Sequence, residues 1–234
     1  MRTIAIVTTL VIVAAAGAFA ADWQWPAQMS LGGFQISGVK GTVNASGSGT
    51  ATGTLQIPGM GNSNINLTRS LQGNITGTAA VDARLSGGTL RGSFVLSNSG
   101  LSGRGTLECL SKSIDSGDIS ISSQGDAKGS GRTNIGRLSV QVDFSASDSS
   151  CSISGEAPVR AQVETPMATY KLNGRLALRT NLGSLTATLS GQVERTGNVS
   201  NQVTTSNVPH TRVDLSSGQC TVNVGGVSVT FSVL

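Results

Sequence analysis

The sequence predicts an all-β protein, a curved antiparallel meander of repeated β-hairpins, taco-like or closing into a sandwich or partial barrel, behind an N-terminal signal helix. Three observations carry that expectation. From residue 38 onward apolar and polar residues alternate, the period of a strand, and no convincing helix is found. Each alternating run is apolar on one face only, as in antiparallel sheet with one solvated face, whereas buried parallel strands read as continuous apolar runs. Finally, a glycine flanked two residues away on each side by an apolar or small residue recurs six times, centred on Gly53, Gly73, Gly92, Gly155, Gly174 and Gly191. Positions i, i+2 and i+4 share a face only in a strand, so each copy reads as a strand with glycine at the centre of its apolar face.

The elements follow in order. Arg2, an uncharged apolar run from Ile4 to Ala16, and Ala18-Phe19-Ala20 before Ala21 have the layout of a secretory signal peptide over residues 1–20. An uncleaved anchor is the competing reading, since Ile4 to Ala21 is just long enough to span a bilayer and would set Trp23 and Trp25 at its interface. Residues 21–234 read as a single all-β domain, because no linker divides them. The clearest strands hold Leu138, Val140, Val142 and Phe144; Tyr170, Leu172, Gly174, Leu176 and Leu178; Leu185, Ala187 and Leu189; Cys220, Val222 and Val224; and Val227, Val229, Phe231 and Val233. Turn signals lie between the strands, among them Pro58-Gly59, Gly87-Gly88, Asn98-Ser99-Gly100 and Gly225-Gly226. Two stretches are weaker. Residues 111–133 offer only a strand at 118–122, and residues 195–212 read as a long polar hairpin or loop.

The motif glycines advance in steps of about nineteen residues, room for two strands of about seven residues and two turns, so the predicted repeat unit is a hairpin. A mid-strand glycine costs roughly 0.5–1 kcal/mol relative to alanine. Repeating that cost on the apolar face implies curvature or close approach of another backbone. The apolar partners of these glycines, Leu55, Ile75, Leu90, Phe94, Leu172, Leu176, Leu189 and Val193, are the candidate lining of an apolar groove.

Composition excludes more than it assigns. Without residues 1–20 the charge balance is 15 Lys and Arg against 12 Asp and Glu, scattered along the chain, so neither a nucleic-acid footprint nor a polybasic membrane patch is present. With one tyrosine and two tryptophans, both near residue 24, the aromatic girdles of an outer-membrane barrel cannot be built. Of three cysteines, one pair can close in an oxidising compartment, with Cys109 and Cys151 as the candidate disulfide and the third left free or bonded between molecules. Their spacing fits no zinc motif, and no cofactor or metal is expected. His210 is the sole histidine and reads as a solvated loop residue. Asp115, Asp118 and Asp126 read as solvated turn acids, with a calcium loop as the sharper alternative. Lys171 and Arg175, with Arg179, fall on the polar face of one strand, either contacting an anion or blunting a solvent-facing sheet.

The segment from Gly88 through Phe94 and Gly103 to Leu107, with its repeated Leu-x-Gly-x-Leu-like centres behind an export signal, resembles the AsmA/TamB-like envelope proteins and the N component of type II secretion systems. The resemblance extends loosely over residues 38–194. It implies a taco-like sheet with an apolar concave face, which larger members use to shield lipid chains, and it carries no catalytic motif. The chain is short for a bridge between membranes. The expected function is therefore that of a non-enzymatic, exported cell-envelope protein, periplasmic or at the cell surface, that scaffolds assembly or handles apolar chains. Its expected partners are lipid or envelope-assembly proteins. The alternative is a surface fibre or matrix subunit that self-associates through edge strands, with 227–234 as the donor strand.

Overall fold

The computed structural model of the protein describes residues 23–85 and 87–234. The expected signal segment lies outside them. Among the described residues there is no helix, and sixteen strands follow one another. The first eight are β1 (Gln28–Leu31), β2 (Phe34–Val43), β3 (Gly49–Ile57), β4 (Gly61–Arg69), β5 (Ile75–Leu85), β6 (Gly88–Ser97), β7 (Gly100–Cys109) and β8 (Lys112–Ile121). Then come β9 (Ala127–Ile135), β10 (Leu138–Ala146), β11 (Cys151–Glu164), β12 (Ala168–Asn181), β13 (Ser184–Gly197), β14 (Val203–Val213), β15 (Gln219–Val224) and β16 (Val227–Ser232).

Strands β1 to β14 form one antiparallel sheet in strict sequence order, each paired with the strands before and after it, and this meander curls into a half-barrel. The hairpin β15–β16 is a second, two-stranded sheet. Alternation works as the sequence predicts: β5 places Gly77, Ala79, Val81, Ala83 and Leu85 inward and Thr76, Thr78, Ala80, Asp82 and Arg84 outward. The inward residues of both sheets make one continuous apolar core.

Curling brings distant turns together. Gly32, in the β1–β2 turn at φ 57°, lies against Ser97 and Gly100 of the β6–β7 turn. Gly125, in the β8–β9 turn at φ 87°, lies against the carbonyl of Pro58 in the β3–β4 turn. An added methyl at Gly125 would stand 1.8 Å from that oxygen, so only glycine fits there.

Three expectations need correction. The copy centred on Gly73 is not a strand: residues 70–74 turn between β4 and β5, Gly73 has φ 83°, and Leu71 is exposed. Its Gly73 N–H donates to the Ser70 carbonyl, closing the turn at 3.0 Å. The weak stretch 111–133 holds two strands, most of β8 and β9. In the second half the glycine step is one strand rather than two, because β11, β12 and β13 are 14 residues each and Gly155, Gly174 and Gly191 fall on successive strands. Of the two forms offered for 195–212, the polar hairpin is the one adopted, by the end of β13 and β14.

Candidate functional site

The inner face is built around glycines that sit side by side. Gly92 of β6 pairs with Gly105 of β7, Gly105 with Ser116 of β8, and Ser116 with Gly131 of β9. The row continues through Val142 of β10 to Gly155 of β11, and Gly174 pairs with Gly191 further on. A Cβ at Gly92, Gly105, Gly131 or Gly155 would stand 2.2–2.4 Å from the carbonyl oxygen of the neighbouring strand. The four glycines thus mark a crease across the sheet, where the neighbouring backbone comes so close that a side chain at these positions does not fit. Ser116 keeps its hydroxyl satisfied in this crowded place by donating to the Ser130 carbonyl at 2.6 Å.

The candidate groove residues all point to that concave side, but they do not line a groove. Leu55, Leu90, Phe94, Leu172, Leu176, Leu189 and Val193 are buried to 2 % exposure or less, and Ile75, at the start of β5, is partly buried against the same core. The space an open trough would leave is filled by the protein's own side chains. Part of that filling is the C-terminal hairpin, whose Cys220, Val222, Val224, Val229, Phe231 and Val233 belong to the core. Hence the segment expected as a free donor strand, 227–234, holds β16, which is paired with β15 and turns Val229 and Phe231 into the core.

Cys109, at the end of β7, and Cys151, at the start of β11, form a disulfide with Cα atoms 6.0 Å apart. It ties two strands that are four apart in the meander, bridging the curl. Cys220 is free and buried, and burial pushes its thiol pKa up. A thiol so placed has little thiolate and little access, so it behaves as a small core residue.

On the outer face the polar side chains run in rows. Arg160, Asn173, Gln192 and Asn207 stand in register across β11 to β14, and Gln162, Lys171, Glu194 and Thr205 form the next row. Between them lies a shallow depression of about 530 Å³. It lacks the apolar walls of a small-molecule pocket. Lys171, Arg175 and Arg179 share this face of β12, where Arg175 pairs with Glu156 at 3.0 Å in the open. Such an exposed pair contributes little stability.

The remaining chemical candidates stay apart. His210 is exposed on β14, Asp115 and Asp118 are exposed on β8 rather than in a turn, and Asp126 occupies the β8–β9 turn. Among the described residues no group of three or more His, Cys, Asp or Glu is arranged to hold a metal ion. At the other end of the chain Trp23 and Trp25 meet edge to face with centroids 5.0 Å apart, the Arg69 guanidinium lies 4.5 Å from the Trp23 ring centre, and Trp25 Nε1 donates to the Thr42 carbonyl. These indoles fasten the incoming chain to the sheet.

Sequence reasoning missed the exposed apolar cluster at one end of β11–β14. Met167, Val199 and Val203 are 79 %, 96 % and 58 % exposed. The signal was there, since each is an apolar residue in a polar turn or strand end, but only the fold brings the two turns together. No family model, no curated protein and no solved structure matches the chain.

Proposed function

We propose that the protein is a non-enzymatic, exported scaffold of the cell envelope that works through its outer surface. The observation carrying this reading is the division of labour between the faces. The apolar concave face is occupied by the chain's own core, while the outer face offers broad rows of amides, hydroxyls and scattered charges. A carrier of apolar chains needs an unfilled trough, and the packing of Leu90, Phe94, Leu176 and Phe231 to full burial favours the scaffold over the carrier. The oxidised Cys109–Cys151 pair suits a compartment outside the cytosol.

Fractionation of the native host, combined with lipid mass spectrometry of the purified protein, tests both halves. The scaffold reading expects recovery in the periplasmic or cell-surface fraction without stoichiometric lipid. Cytosolic recovery with reduced cysteines overturns export, and one bound acyl chain per protein restores the carrier.

A further inference from the structure

The two edges of the large sheet are not alike. At one edge β1 is only four residues long, and the chain before it continues along β2: Val39 N–H donates to the Ala27 carbonyl at 3.1 Å, and Trp25 Nε1 to the Thr42 carbonyl at 3.2 Å. That edge is short, and a very short edge strand offers a partner little ladder to pair with. At the other edge β14 pairs with β13 on one side, while β15 meets it only at its far end, through the bridge between Asp214 and Gln219. Among the described residues, no backbone hydrogen bond beyond those to β13 engages residues 203–208.

That free half-strand, Val203 to Val208, contains no charge and no proline. Proteins blunt an edge with exactly such residues, and here they begin later, with Pro209 and Arg212. The exposed apolar cluster adjoins the same edge. Asn198 donates its N–H to the Met167 carbonyl at 3.0 Å and its Nδ2 to the Thr165 carbonyl at 2.9 Å, which holds the β11–β12 turn beside the β13–β14 turn. Met167, Val199 and Val203 are thereby gathered next to unpaired strand groups. An open ladder beside exposed apolar side chains is the combination that strand addition uses.

We propose that β14, over Val203 to Val208, pairs antiparallel with the same segment of a second copy, forming a two-fold dimer whose sheet runs through the interface. A second copy fits because identical strands paired antiparallel present the same uncharged sequence from both sides. Facing residues must share a side of the sheet, a condition met with Thr205 opposite itself on the two-fold axis and Val203 opposite Asn207, the register that centres the axis on the outward residues of the free segment. Since the β1 edge offers only four residues to a partner strand, association closes at two and does not propagate into a filament. The inference is independent of export or of an envelope role.

The test uses the chain over residues 21–234. Sedimentation across the micromolar range should show a monomer–dimer equilibrium and nothing larger. Thr205→Cys should form an intermolecular disulfide under mild oxidation, and Ser30→Cys, on the short β1 edge, should not. Thr205→Lys sets two like charges against each other at the axis and should weaken dimerisation at least tenfold with an unchanged circular dichroism spectrum. A monomer at every concentration, an open-ended series of larger species, or equal cross-linking at Ser30 and Thr205 would each overturn the proposal.

Discussion

Gly92 and Gly105 face each other across β6 and β7 so closely that a methyl group on either would meet the carbonyl oxygen of the other strand, at 2.3 Å from Gly92 and 2.2 Å from Gly105. Gly105→Ala should therefore destabilise the protein by about 1–3 kcal/mol or more, because the carbonyl in the way is backbone and cannot swing aside. Gly117 supplies the contrast. It occupies the bulge in β8, has nothing within 4 Å of an added methyl, and its backbone is not left-handed. Gly117→Ala should leave stability unchanged or raise it by roughly 0.4–1 kcal/mol. Denaturant midpoints of the two variants decide the matter, and equal losses would refute the crease.

The disulfide spans 42 residues. By loop-closure entropy its removal in Cys109→Ser/Cys151→Ser should cost about 4 kcal/mol at 25 °C. Urea melts of the double variant and the oxidised parent measure this. A loss below about 1 kcal/mol would show that the curl holds β7 and β11 together without the bond.

Cys220 is an internal reporter of the C-terminal hairpin. Its thiol is buried and its pKa raised by that burial, so maleimide should label the native protein very slowly at neutral pH. Phe231 lies opposite Cys220 in the hairpin and is fully buried. Phe231→Ala should cost about 3–5 kcal/mol and accelerate labelling as the hairpin loosens. Rapid labelling of the parent protein would contradict the sealed core.

Asp214 accepts hydrogen bonds from the Ser216 hydroxyl and N–H and from the Ser217 hydroxyl, which lower its pKa to about 2. A carboxylate whose folded pKa is depressed adds stability that is complete above its unfolded pKa, near 4, and is lost as pH falls towards 2. Asp214→Asn should lower stability modestly above about pH 4 and converge with the parent as pH falls towards 2, flattening this part of the acid-unfolding profile. Identical profiles for the two proteins between pH 4 and pH 2 would remove Asp214 from the acid response.

Alternation made most strands legible, and its failures have a local cause. In β8 the inward residues run Ile114, Ser116 and then Ile119, Ile121, because the bulge between Ser116 and Asp118 shifts the phase by one residue. A reading that expects unbroken period two sees only the second half. The same slip occurs where β13 meets β14: the register jumps between Leu189 and Gly191, and β14 buries Val208 and then Val213. The Gly73 copy failed in the opposite sense, since three residues spaced by two carry no information about whether the chain between them turns. As for the candidate groove, its residues were identifiable as one face of a sheet. What covers that face was not, because β15 and β16 reach it from the far end of the sequence.

That far end governs how the protein comes into being. Neighbouring strands of the meander pair soon after they are synthesised, as local contacts allow. The seal over the core follows all fourteen of them, carried by Val229 and Phe231. A chain that stops short of β15 still has fourteen strands to pair but leaves an aliphatic interior open to water, a form that proteases and chaperones recognise by its exposed surface. The β15–β16 hairpin thus separates two kinds of molecule: a chain cut before it differs from one that carries it in solubility before it differs in anything else.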